Sequence, residues 1–150
     1  MKYSGITILD LIGAHENFKR DNELIGKFVR FIEKSILGIA PFDISFKGII
    51  VSSVGILAKG YYQEGLQEIR TRMRDIAATE GINFQERYQS ISAHITFVRF
   101  KSAIRNRPAL SSYIQKEYDR EIGTMTVREI HLVIHDWYNR KKEELNRFTI

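Results

Sequence analysis

Apolar and polar positions follow two rhythms along the chain, and the changes of rhythm mark its elements. Gly5-Ile6-Thr7-Ile8-Leu9-Asp10-Leu11-Ile12 is rich in β-branched and aliphatic residues and stops at Gly13, which predicts a mostly buried strand. Between Asp21 and Leu37 the apolar residues Leu24, Phe28, Phe31, Ile32 and Ile36 recur at helical spacing. Asp21 or Asn22 can cap the start of this helix, and Gly38 with Pro41 closes it. Phe42, Ile44 and Phe46 then alternate with Asp43, Ser45 and Lys47, the period-2 pattern of a half-buried strand. Gly48 reads as the turn into a second strand, 49–59, closed by Gly60. Over 63–80, Leu66, Ile69, Met73, Ile76 and Ala77 share one helical face, with Arg70, Arg72 and Arg74 mostly on the others. Beyond Gly81, residues 92–100 read as a strand, 108–118 as a helix with proline at its start, and 125–135 as another long strand. The tail 139–146 is charged and helix-prone, and 147–150 can add a short last strand. The order strand, helix, hairpin, helix, strand, helix, hairpin predicts an α+β fold of antiparallel sheets packed against helices.

Composition narrows the class. The chain has 150 residues, 43% apolar and 27% charged, which suits a single globular domain, 1–150, able to bury a core without disulfides or a structural metal. There is no cysteine. This excludes disulfide frameworks, thiolate nucleophiles and cysteine-ligated metals, and it fits a reducing, cytoplasmic setting. The N-terminus lacks the charged and long apolar regions of a secretory signal. No apolar run approaches the roughly 18 residues that a membrane span needs. The 23 Lys and Arg exceed the 18 Asp and Glu, for a net charge of +5. That mild excess favours an anionic partner but selects none. No Walker loop, Gly-x-Gly-x-x-Gly or Gly-x-Ser-x-Gly is present, so P-loop, Rossmann and α/β-hydrolase chemistry have no support.

A weak internal repeat carries more weight. Gly5-Ile6-Thr7-Ile8-Leu9-Asp10-Leu11 aligns with His94-Ile95-Thr96-Phe97-Val98-Arg99-Phe100, and each copy precedes a helix and a hairpin. Ile-Thr in two strands is unremarkable by itself, because both residues favour strands. In the second copy, however, His94 and Thr96 project to the same side of the strand, with Ile95 and Phe97 on the other. A hydroxyl that donates to a phosphoryl oxygen, beside an imidazole that relays protons near neutral pH, makes a compact phosphate site. The competing reading of His94 is a satisfied structural histidine.

The stretch Ser92-Ala93-His94-Ile95-Thr96-Phe97-Val98-Arg99-Phe100 resembles the second His-x-Thr motif of the two-histidine (2H) phosphoesterase superfamily, which includes RNA 2',3'-cyclic phosphodiesterases and 2'-5' RNA ligase-like proteins. Residues 41–48 and 127–133 resemble the family's intervening strand and its C-terminal hairpin, so the likeness covers nearly the whole chain. It implies a two-lobed α+β fold with antiparallel sheets lining a central cleft and helices outside. It also implies RNA or nucleotide phosphodiester substrates and a metal-free mechanism with no cofactor. In that mechanism one histidine acts as general base and the other as general acid, while the Thr hydroxyls hold phosphate oxygens. Carried onto this chain, the site residues are His94, Thr96 and Thr7.

One position departs from the family. Gly5 stands where the first motif has histidine, and only four residues precede it, which leads us to expect an N-terminally incomplete first lobe and impaired catalysis. A missing acid or base costs about 10²–10⁴ in rate. Two alternatives stay open: a non-catalytic phosphate- or RNA-binding module using the same cleft, and an unrelated α+β interaction protein with a structural His94. Arg99 is a candidate phosphate or nucleotide contact, although simple alternation puts it on the Ile95 and Phe97 side, where a surface ion pair is an equal reading. His15 lies in a polar loop. His131 and His135 share a strand face but lack further metal-ligand spacing, so no metal is expected. Two basic clusters, Arg70, Arg72 and Arg74 and then Lys101, Arg105 and Arg107, could steer RNA or simply be solvated faces. Trp137 and Tyr138 are stacking or packing aromatics. An exposed apolar sheet edge from the shortened lobe predicts a homodimer or a poorly soluble monomer.

Overall fold

Asp21 opens the first helix as its pattern predicts. Its carboxylate accepts from the backbone N–H groups of Glu23 and Leu24 at 2.9 and 3.2 Å, which satisfies two of the donors that a helix start leaves unpaired. In a computed structural model of the chain, residues 5–13, 19–84, 86, 88–136 and 141–150 are described. Their elements are α1 (Asn22–Ile36), β1 (Phe42–Val51), β2 (Gly55–Tyr62), α2 (Gly65–Glu80), β3 (Ala93–Arg99), α3 (Arg107–Lys116), β4 (Glu121–Val127), β5 (Glu129–His135) and β6 (Lys142–Thr149). They form two compact units, one built from 43–63 and 91–126 together with 5–7, the other from 8–42, 64–90 and 127–150. The units do not follow the two copies of the repeat, because β3 of the second copy pairs with the hairpin of the first.

The second unit holds the apolar core. Helix α1 packs against α2 and meets β6, burying Phe28, Phe31, Ile32, Ile69, Met73 and Ala77 with Ile130, Leu132 and Phe148 of the β5–β6 hairpin. These helical positions are the ones that the 3.6-residue period puts on one face. Gly81 ends α2 in the left-handed region, at φ 67°, with its N–H donating to the carbonyl of Ala77. Three expectations are corrected here. Residues 5–12 form no strand. Ile8, Leu9, Leu11 and Ile12 lie half-buried against the core instead, and the Ile8 carbonyl accepts from Arg70 Nε at 2.9 Å rather than from a neighbouring strand. The segment 125–135 breaks at Arg128 into β4 and β5, which belong to different sheets. The helix-prone tail is strand β6, paired antiparallel with β5. That pairing buries Phe148, and burial outweighs the small helix preference of Lys, Glu and Leu.

The first unit is a four-stranded sheet in the order β3-β2-β1-β4, with β1–β2 and β2–β3 antiparallel. One side of it is closed by Ile44, Phe46, Ala58 and Ala93. A Cβ on Gly60 would stand 3.0 Å from the Ala93 methyl and 3.1 Å from Ile44 and Phe46, so a larger residue there would force these neighbours to give way by a few tenths of an ångström. Gly48 does not turn the chain. It sits in a β-bulge within β1, where the register slips between Phe46 and Ile49. Its φ is 79°, and a Cβ there would meet the Tyr118 carbonyl oxygen at 2.2 Å. The actual turn is 52–54, where Ser52 Oγ accepts from the N–H groups of Val54 and Gly55 at 3.2 and 3.1 Å. Helix α3 is capped by Asn106, with Pro108 in its first turn, and buries no residue.

Candidate functional site

The alternation that buries Ala58 and Ala93 sends their neighbours to the open side of the first unit's sheet. His94 of β3 is the direct cross-strand partner of Lys59 on β2, and Thr96 is the partner of Leu57. Cross-strand partners share a face, with Cβ atoms about 4.5–5.5 Å apart. His94 and Thr96 therefore stand together, as the sequence predicts, His94 exposed and Thr96 half-buried. Along the same face Tyr61 is paired with Ser45, whose hydroxyl shares a hydrogen bond of 3.2 Å with Thr124. Asp43 accepts from the Thr126 hydroxyl at 2.6 Å. Strands β2 and β3 carry no acidic residue, so their open side presents only cationic and neutral groups.

The second strand contains a feature that alternation alone conceals. Val98 pairs with Ile56 while Thr96 pairs with the next residue, Leu57, which leaves Phe97 as the extra residue of a bulge. A bulge flips every later side chain to the other face. Two consequences correct the expectation. Phe97, expected on the side of Ile95, is the unpaired residue of the bulge and 52% exposed, and Arg99, opposite Gly55, comes round to the face of Leu57, Lys59, His94 and Thr96. Its side chain is exposed, and it enters none of the ion pairs among the described residues.

The first copy of the motif is placed differently. Thr7 belongs to the same unit as His94 and Thr96 and is exposed, but lies outside any strand. Gly5 is exposed as well, and a Cβ built there meets nothing within 4 Å. Of the basic clusters, Arg70 is 1% exposed and donates to Ile8, so it belongs to no solvated face. Arg74 is committed to Glu86, with contacts of 2.8 and 3.1 Å, and to the Ser90 carbonyl at 3.1 Å. The Arg74 guanidinium and the Ser90 N–H hold the Glu86 carboxyl down from the usual 4.5 to about 2. This clamp fixes the chain three residues before β3 begins. Lys101, Arg105 and Arg107 are exposed.

Both histidines of β5 are engaged locally. His131 contacts Glu144 at 2.9 Å and Glu129 at 3.3 Å, and Arg147 joins the same two carboxylates. His135 Nδ1 lies 2.9 Å from the Asp136 carbonyl oxygen. Among the described residues, no three His, Asp or Glu side chains converge as metal ligands, and no helix is long and apolar enough to cross a membrane. His15, Trp137 and Tyr138 lie outside the described residues.

Two units of sheet and helix, with a polar face on the first unit's sheet, make this an α+β protein. Among solved structures, the chain is similar to a crystal structure of TT0787 of Thermus thermophilus, with a TM-score of 0.56 at 16% sequence identity over 87% of this chain and 72% of that one. Likeness at that identity establishes a shared fold. No protein-family model and no curated protein matches the chain.

Proposed function

We propose that the chain is a 2H phosphoesterase-like protein that takes RNA or nucleotide 2',3'-cyclic or 2'-5' phosphodiesters on the open face of its first unit. The observation that carries this reading is the placement of His94, exposed, and Thr96, half-buried, on one sheet face, in an α+β fold of the kind the resemblance implies. Thr96 and Thr7 donate hydroxyl hydrogen bonds to phosphate oxygens, and Arg99 meets the charge of the phosphate or of the adjoining nucleotide. His94 supplies one of the two proton transfers of hydrolysis. As water adds to phosphorus and a bond from phosphorus to a ribose oxygen breaks, one proton leaves the water and one joins the departing oxygen. The other transfer belongs at Gly5, which has no side chain, so catalysis is impaired. The same feature favours a second reading, a binding module that holds the phosphate without turning it over.

Hydrolysis of a 2',3'-cyclic nucleotide tests the proposal. His94→Ala is expected to lower any measured rate by about 10²-fold or more, and an unchanged rate removes His94 from the mechanism. Gly5→His is expected to raise the rate, because the proposed mechanism lacks its second histidine there and a side chain at position 5 meets nothing within 4 Å of its Cβ. If the rate stays flat while phosphate binding persists, the binding module is the correct reading.

A further inference from the structure

Lys59 is absent from the sequence motif, yet the register makes it the cross-strand neighbour of His94. Its ammonium lies over the ring of Tyr61, 5.1 Å from the centroid, and both residues are exposed. Tyr61, two residues along β2 from the register partner of His94, thus holds the lysine head on the open face. We propose that Lys59 is a phosphate-binding residue of this site, with Tyr61 as the positioning residue that parks its ammonium until an anionic ligand arrives. The proposal rests on the reading of His94 and Thr96 as a phosphodiester site and names the cation that completes it.

Three observations support the assignment. An exposed cation–π contact is weak, roughly 0.5–1 kcal/mol, whereas a charge-assisted hydrogen bond to a phosphate oxygen is among the stronger polar contacts. The ammonium can therefore be exchanged from ring to phosphate at little cost. Next, strands β2 and β3 have no acidic residue, and Asp43, the one acid on β1, is occupied by Thr126. No carboxylate on these strands competes for Lys59. Finally, the cross-strand spacing of about 5 Å between Lys59 and His94, and the Thr96 hydroxyl two residues further along, let one tetrahedral phosphate meet donors from both strands.

The test is binding of adenosine 2',3'-cyclic monophosphate to the full chain, measured by calorimetry and by the NMR shift of the His94 imidazole. Lys59→Met keeps the apolar stem over Tyr61 and removes the charge. It is expected to weaken binding about tenfold, with thermal unfolding unchanged, and Lys59→Arg is expected to restore most of the affinity. Tyr61→Leu is expected to weaken binding less than Lys59→Met does. If His94→Ala and Thr96→Val weaken binding while Lys59→Met leaves it intact, the assignment of Lys59 is overturned and the phosphodiester site stands. If the unmodified chain binds no nucleotide, or if His94→Ala binds as well as the unmodified chain, the site itself is overturned and Lys59 with it.

Discussion

The two units divide the work of the molecule unequally. The second unit packs two helices and a hairpin around Phe31 and Ile69, neither of which exposes any surface. The first unit spreads a sheet whose buried side rests on Ile44, Phe46, Ala58 and Ala93, and its helix α3 buries nothing. Of the large apolar side chains that stand exposed among the described residues, all but Leu37 and Tyr88 belong to the first unit. Every candidate phosphate ligand, Thr7, Lys59, His94, Thr96 and Arg99, belongs to it as well. Apolar burial is concentrated where no candidate chemistry lies, and the candidate chemistry sits on the unit with more of the exposed apolar side chains, a common trade in proteins whose sites need exposed polar groups.

The largest effect that can break this contrast is a deletion in the second unit's core. Phe31→Ala removes a fully buried ring and is expected to cost about 3–5 kcal/mol, read from urea unfolding. A loss below about 1 kcal/mol would mean that the core carries less of the stability than its burial implies.

A smaller effect comes from the clamp that precedes β3. Because the folded-state value of Glu86 is lowered from 4.5 to about 2, the carboxylate stabilises the fold fully above about pH 4.5, and this contribution is lost as pH falls through about 2. The side chains of Glu86 and Arg74 are mostly buried, so the contribution is sizeable, about 2–3 kcal/mol. Glu86→Gln is expected to remove the difference in unfolding free energy between pH 5 and pH 2 that this residue supplies. Equal slopes for the two proteins in that window would show that the pair is dispensable. Nucleotide binding measured on the same variant sharpens the contrast, since a drop would tie the second unit's clamp to the placement of His94.

Much of this arrangement is legible in the sequence, and the failures share a cause. Helices α1 and α2 follow from apolar periodicity and from Asp21 and Gly81, because those signals act within one element. The pairing of His94 with Thr96 follows from strand alternation. What escapes are features set by a neighbouring strand. Gly48 looks like a turn because its left-handed backbone serves a bulge against β2. Arg99 looks misdirected because the bulge at Phe97 depends on how β3 aligns with β2. Lys59 carries no motif, and only register places it beside His94. The tail reads as helix because Lys142, Glu143 and Glu144 are good helix formers, while β5 offers them a partner that local propensity cannot register.

The smallest expected effect lies at the edge of the first unit. Strand β3 ends the sheet, and Phe97 and Val98 are 52% and 45% exposed there. An exposed apolar edge invites pairing with another chain, and a bulge within it works against that pairing by twisting the strand. Phe97→Lys is expected to change the stability of the folded chain by less than about 0.5 kcal/mol, because the position is an exposed one at a sheet edge and the apolar stem of lysine keeps part of the ring's contacts. Its effect belongs to association: light scattering is expected to show a mass above that of one chain for the unmodified protein and a single chain for the variant. A single-chain mass for both would mean that the bulge alone protects the edge. A stability loss well above 0.5 kcal/mol would mean that Phe97 is packed, and the contrast between a buried and an open unit would have to be redrawn at β3.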